Sequence, residues 1–233
     1  MKMKEYDFVS MELLDKKKQV DKLAYDNAYE FWQTEWSIAI SDLGLEGLSV
    51  NISDKFVSAD EILVLREGGN IVALALINHI DLNFAAYKDI SYLKTLPDDA
   101  MAFIFNNGIK KIMTSGYNIV CRKYRRAMIR GLFLSVALPG AAIALFEMRS
   151  EFDLFMGMPL IASGNQRTLA RLGMKDMPGG SITIHNVKAQ FMYMTRDDVR
   201  LGKHFGKYDE SIRSLFPYES MAHRTNTRMY ASL

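Results

Sequence analysis

The chain has 233 residues, 49% of them hydrophobic, enough to bury the core of one sizeable domain. Its 29 Lys and Arg nearly balance its 27 Asp and Glu, and a net charge of only +2 argues against general attraction to nucleic acid or an anionic membrane. Any basic site must be local, and the single cysteine, Cys121, allows no internal disulfide, which fits a reducing compartment and an expected cytoplasmic location.

The opening "MKMKEYDFVSMELLDKKK" has no apolar core of signal-peptide length. Residues 5–41 read as helical, with apolar and aromatic positions recurring at Leu13, Leu14, Val20, Leu23, Tyr25, Phe31, Trp32 and Trp36. Gly44 and Gly47 break that pattern. Residues 60–83 follow, two β-rich runs flanking "EGGN", which is a hairpin signal. The second run is apolar on both alternating sets and is expected to be a central strand covered on both faces. Pro97-Asp98-Asp99 starts a helix that Gly108 ends. "SGYNIVCR" is a short strand, and the cations Arg122, Lys123, Arg125, Arg126 and Arg130 follow it.

A helix is expected from about Arg126, disturbed near Pro139, which cannot donate its N–H. The apolar stretch 131–146 falls short of the roughly 20 residues that span a bilayer. It reads as a buried helix pair. "EFDLFMGMPLI" is a strand, "ASGNQRTLARLG" a short helix stopped by Gly173, and "MPGG" a turn. "SITIHNVKAQFMYMT" holds at least one more strand, and a polar, aromatic tail packs on the body. The order describes a mixed α/β sheet with helices on both faces. Three segments are expected: a helical N-terminal extension over 1–50, a core over 51–198 and a C-terminal tail over 199–233.

The basic turn carries the chemistry. A strand that turns directly into a helix leaves the first helical N–H groups unpaired, and the helix dipole adds partial positive charge. An anion binds well there, and Arg125, Arg126 and Arg130 add forks suited to phosphate. Cations in a first helical turn oppose the dipole, which favours an anionic ligand over a merely solvated face. The scattered histidines and lone cysteine have no metal-ligand spacing, and no metal is expected.

"IVCRKYRRAMIRGLFL" resembles the acyl-donor motif of the GNAT superfamily of N-acyltransferases, with Val120, Tyr124 and Arg125 at matching positions. "FMGMPLIASGNQRTLARLGMKDM" is similar to the family's later strand-helix segment, here ending Arg171-Leu172-Gly173-Met174, and "ILVLREGGNIVALALI" to the hairpin before the motif. The resemblance covers roughly residues 60–195. It implies a GNAT-like mixed sheet and transfer of an acyl group from a phosphopantetheine thioester to a primary amine of a small molecule. The thioester is acyl-CoA or an acyl carrier protein, and the latter would suit the cations with its acidic surface. The implied donor site comprises Ile119, Val120, Cys121, Arg122, Tyr124, Arg125, Arg126, Ala127, Arg130 and Gly131, with Asn165 from the later helix. Met128 and Arg130 stand where the family usually has small residues, so a modified mode of donor binding is expected. A carrier-protein donor is the one used by enzymes resembling the N-acyl amino acid and acyl-homoserine lactone synthases, the branch that this resemblance suggests.

Aminolysis of a thioester needs a base or water chain for the amine and a donor for the oxyanion. The resemblance places the oxyanion donor near Ile119–Cys121. It places the family's tyrosine acid at Leu169, and "SGYNIV" lacks the glutamate common on that strand. Tyr117, Asn118 and Ser115 are the local polar choices, and His79, beside Asp81, is a further one because histidine titrates in a useful range. A covalent role for Cys121 lacks a visible histidine partner. The 15 methionines are core filler or the lining of a deformable acyl tunnel. Two other readings stand beside the enzyme. One is a GNAT fold that has lost catalysis and binds a ligand. The other is a nucleic-acid surface using the arginines with Tyr117 and Tyr124, which the near-neutral charge disfavours.

Overall fold

The structure is a computed structural model, and it describes residues 5–6, 10–15, 21–42, 44, 52–129, 131–184, 186–200 and 204–215. In chain order the elements are β1 (Glu5–Tyr6), β2 (Ser10–Asp15), α1 (Lys22–Asp42), α2 (Ile52–Ser58), β3 (Glu61–Glu67), β4 (Asn70–Asp81), α3 (Ala85–Lys88), α4 (Ser91–Lys94), α5 (Asp98–Asn106) and β5 (Lys111–Val120). After a 3-10 turn at Arg122–Tyr124 come β6 (Met128–Ile129), β7 (Leu132–Phe133), α6 (Leu134–Met148), β8 (Leu154–Gly157), α7 (Asn165–Arg171), β9 (Lys175–Ile184), β10 (Val187–Thr195), α8 (Arg196–Arg200) and α9 (Asp209–Arg213).

Seven strands form the main sheet in the order β2-β3-β4-β5-β8-β10-β9. Every neighbouring pair is antiparallel except β5 and β8. β3 and β4 meet in a two-residue turn whose Gly68 and Gly69 both have positive φ, 53° and 85°, the geometry that matches strand twist in tight hairpins. Ile62–Leu65 and Val72–Ile77 are buried on both faces, as the near-continuous apolar runs require.

Alternation along the strands sorts the core into layers. Leu63, Ala73, Ile77, Met113 and Phe155 pack with α6 on one face. On the other, Ile62, Leu74 and Ile119 pack with Trp32 of α1 and Phe56 of α2, while Ile112, Met156 and Phe191 pack with Ile104 of α5. α6 is buried nearly all round, the behaviour of a helix with no polar face.

Four expectations need correction. The helix expected over 5–41 occupies 22–42, whereas 5–6 and 10–15 are strands. Met11 and Leu13 of β2 join the α6-side core and Leu14 the α1-side core, a two-residue period hidden among helix-like spacings. The helix expected from Arg126 begins at Leu134, because Tyr124 and Ala127 fold into a turn and Gly131, at φ 75°, sits between β6 and β7. The expected helix pair is one helix: Pro139 lies in its second turn, where its missing N–H costs only the bond to Ser135. Finally, "MPGG" lies inside β9 rather than before a strand. β9 is an edge, where proline is tolerated, and these residues form an irregularity opposite Gln190–Met192. Of the tail, 199–200 and 204–215 are described, and α9 packs on α6, with Ile212 filling the space beside Gly140. Residues 216–233 and Gly47 lie outside the described residues.

Candidate active site

β5 and β8 are paired only from Ile112↔Leu154 to Thr114↔Met156. Beyond that β5 runs on to Val120, while β8 ends at Gly157 and its chain turns toward β10. The Pro159 carbonyl accepts the Gln190 N–H at 3.1 Å, and Leu160 bridges to Ala189. The strands therefore part, and a cavity of about 400 Å³ lies in the split. Trp36 and Ala39 of α1 wall it from one face of the sheet and Leu138 and Pro139 of α6 from the other. Ser115–Val120, Gly157–Leu160 and Asn165, Thr168 and Leu169 of α7 complete it.

β5 is irregular at the split. Between Leu74 and Leu76 of β4, β5 advances from Ile119 to Gly116, one residue more than its partner. Tyr117 takes φ 51°, uncommon for a non-glycine residue and the kind of local strain bulges concentrate near functional sites. The Ser115 hydroxyl donates to Asn118 Oδ1 at 2.9 Å across the bulge. The Tyr117 ring meets Trp32 and Trp36 edge-on, at centroid distances of 6.0 and 5.4 Å, and burial pushes its hydroxyl pKa up. Cys121 N–H donates to the Val72 carbonyl at 2.9 Å, so strand alternation turns the N–H and C=O of Val120 toward the split. The Val120 carbonyl accepts from Arg125 Nε at 3.5 Å.

The basic turn is held by carboxylates of α1. Glu35, buried, accepts the Arg122 N–H at 2.8 Å. Asp42 accepts from Arg125 at 2.7 Å and lies 3.7 Å from Arg122. The Arg125 hydrogen bond draws the Asp42 carboxyl below its usual pKa, with the charges of Arg122 and Arg125 adding to it. Tyr124 is buried with its hydroxyl 3.2 Å from Glu67. Arg122, Lys123 and Arg126 are exposed. Burial, together with the nearby Glu35, pushes the Cys121 thiol up, away from a reactive thiolate.

The expected site residues are thus divided. Tyr117, Asn118, Ile119, Val120, Arg125 and Asn165 line one cavity. Cys121, Arg122, Tyr124, Arg126, Ala127 and Gly131 shape the turn beside it without lining it, and Arg130 lies outside the described residues. His79 stands apart, opposite Met113 in the paired part of the sheet. Its Nε2 is 3.0 Å from Arg149 and 3.3 Å from Glu61, and Arg149 pairs with Glu61 at 2.6 Å. The helix expected to follow the strand directly begins only at Leu134, and its first turn reaches the cavity through Ser135. Missing from the sequence reading are Trp36, Ala39 and Asp42, whose helix carries no motif and comes from far along the chain. Leu169, at the place of the family's tyrosine, lines the cavity as an apolar wall. Met158 and Met174 line it too, while Met113, Met156, Met192 and Met194 are buried core.

Among the described residues no group of three or more His, Cys, Asp or Glu side chains could hold a metal ion, and no helix is long and apolar enough to cross a membrane.

The sequence matches no family model and no curated protein. Solved structures match it with high probability. One is FeeM, an N-acyl amino acid synthase from uncultured soil microbes, at TM-score 0.56 and 12% identity, covering 84% of this chain and 95% of that one. Another is a mosquito arylalkylamine N-acetyltransferase-like protein, at TM-score 0.56 and 12% identity, covering 81% and 100%. A third is an aminoglycoside acetyltransferase in complex with coenzyme A, at TM-score 0.52 and 13% identity, covering 84% and 99%. With its mixed seven-stranded sheet parted between β5 and β8, the chain has the fold of the GNAT N-acyltransferases.

Proposed function

We propose that the protein is an N-acyltransferase that moves an acyl group from a phosphopantetheine thioester to a primary amine of a small molecule. The observation that carries this reading is the split itself: a cavity of about 400 Å³ crosses the sheet where β5 leaves β8. The unpaired edge of β5 offers a linear amide-bearing arm the hydrogen bonds of a missing strand. Coenzyme A in one structure of the same fold supports a phosphopantetheine donor.

In this reading the arm lies along Ser115–Val120. The Val120 N–H, fixed by the strand, is the donor poised for the oxyanion that forms when the amine attacks the thioester carbonyl. The amine's proton passes to a water held by the Ser115–Asn118 pair. The C–N bond forms, the C–S bond breaks, and the thiolate takes a proton from Tyr117, which burial keeps protonated and which recovers its proton from the water that accepted the amine's. The apolar walls, Trp36, Leu138, Pro139, Phe155 and Leu169, exclude water from the thioester and receive the acyl chain. The exposed Arg122, Lys123 and Arg126 beside the mouth suit either the phosphates of coenzyme A or the acidic face of an acyl carrier protein. A second reading, a ligand-binding module without catalysis, is favoured by one fact: among the described residues the only carboxylate lining the cavity, Asp42, is engaged with Arg125 rather than placed as a base.

The test is thiol release from acyl-CoA and from acyl carrier protein across a panel of amines. Amine-dependent release with either donor supports transfer. Donor binding without release in any combination selects the binding module, and absence of binding to both donors overturns the proposal.

A further inference from the structure

We infer that Asp42 and Arg125 form a latch that occupies the donor's path and is exchanged for the donor on binding. The inference rests on the donor site proposed above. Arg125 follows the 3-10 turn and ties an acceptor that a phosphopantetheine donor would use to a carboxylate that would compete with the donor's phosphate. Its Nε lies on the Val120 carbonyl at 3.5 Å, an acceptor on the open strand edge, and its Nη1 holds Asp42 at 2.7 Å. Both side chains line the cavity and both are about one-third exposed, so the pair sits at the mouth where it can open.

Asp42 is in an electrostatically poor position of its own. It is the last residue of α1, a 21-residue helix with no basic residue in its final turn, and a carboxylate there opposes the helix dipole. The guanidinium of Arg125, helped by Arg122 at 3.7 Å, compensates for it. A donor phosphate would therefore compete with a carboxylate that belongs to the chain. The backbone does not need to move for this exchange. The buried Glu35 keeps the Arg122 N–H, and Tyr124 stays anchored in the core, while the Arg125 side chain swings. One rotation then frees the Val120 carbonyl for an amide N–H of the arm and presents the guanidinium to phosphate.

The experiment is calorimetric titration of coenzyme A, and separately of holo acyl carrier protein, into the wild type, Asp42→Asn and Asp42→Ser, with thermal melts confirming folding. Removing the competing charge from a partly exposed pair should tighten donor binding by about two- to fivefold in both variants. Unchanged or weaker binding in both overturns the latch. Absence of binding of either donor to wild type and variants alike overturns the donor site itself. Binding that appears only in the variants supports a latch strong enough to keep the wild type closed.

Discussion

Glu61 offers a stability prediction whose size and sign both follow from geometry. Its side chain is 5% exposed, paired to Arg149 at 2.6 Å with His79 at 3.3 Å, and the group ties the start of β3 to the end of α6. Burial pushes its carboxyl up, but hydrogen bonding and charge from His79 and Arg149 outweigh this and hold it at about 2 rather than 4.5. A displacement of that size is worth about 3 kcal/mol at most, and screening on the open side of His79 brings it to roughly 2 kcal/mol. Because the folded value lies below the unfolded one, this stability is fully present above pH 4.5 and is lost as the pH falls toward 2. Glu61→Gln also leaves Arg149 without its counter-charge, so the variant should lose about 3 kcal/mol at neutral pH. Urea unfolding of both proteins at pH 7, 5 and 3 reads the difference. The gap should narrow as the pH falls; an equal gap at pH 7 and 3, or none at pH 7, would refute the reasoning.

Other outcomes follow from the same structure. Arg125→Ala should weaken coenzyme A binding by about tenfold or more, the loss of a charge-assisted contact, measured by calorimetry. Tyr117→Phe should lower kcat by about a hundredfold while leaving donor affinity unchanged, if its phenol protonates the thiolate; an effect on affinity alone would remove that role. Gly140→Val should destabilise by about 1–3 kcal/mol and expose 204–215 to proteolysis, because even a Cβ there would come within 2.7 Å of Ile212.

Much of the fold was legible because local patterns and tertiary structure agree. The "EGGN" turn, the doubly apolar second run of its hairpin and the Pro97–Gly108 helix each carry their own signal, and each element lies where those residues place it. The failures share a cause: tertiary packing overrode local spacing. β2 has helix-like neighbours, yet pairing with β3 makes Met11 and Leu14 face opposite ways. Pro139 did not break α6, since the missing donor falls near the helix start and the helix is buried on all sides. In the site, the stretch 117–125 was visible as a strand running into a basic turn, but the walls of the cavity were not. From α1, Trp36 reaches the cavity and Glu35 and Asp42 reach the turn across a long sequence separation, and no local pattern encodes those contacts. The basic turn was read as waiting for an external anion; part of its charge is met by the chain's own carboxylates.

The central claim is that the parted edge of β5 receives the donor's arm. Hydrogen–deuterium exchange of the protein, free and saturated with coenzyme A or holo acyl carrier protein, tests it most directly. Slower exchange should appear at amides in 115–120 and 157–160, with Val120 among the most protected, and extend only to the basic turn at 122–126. Saturation by the donor with these amides unchanged, and protection elsewhere, would contradict the account.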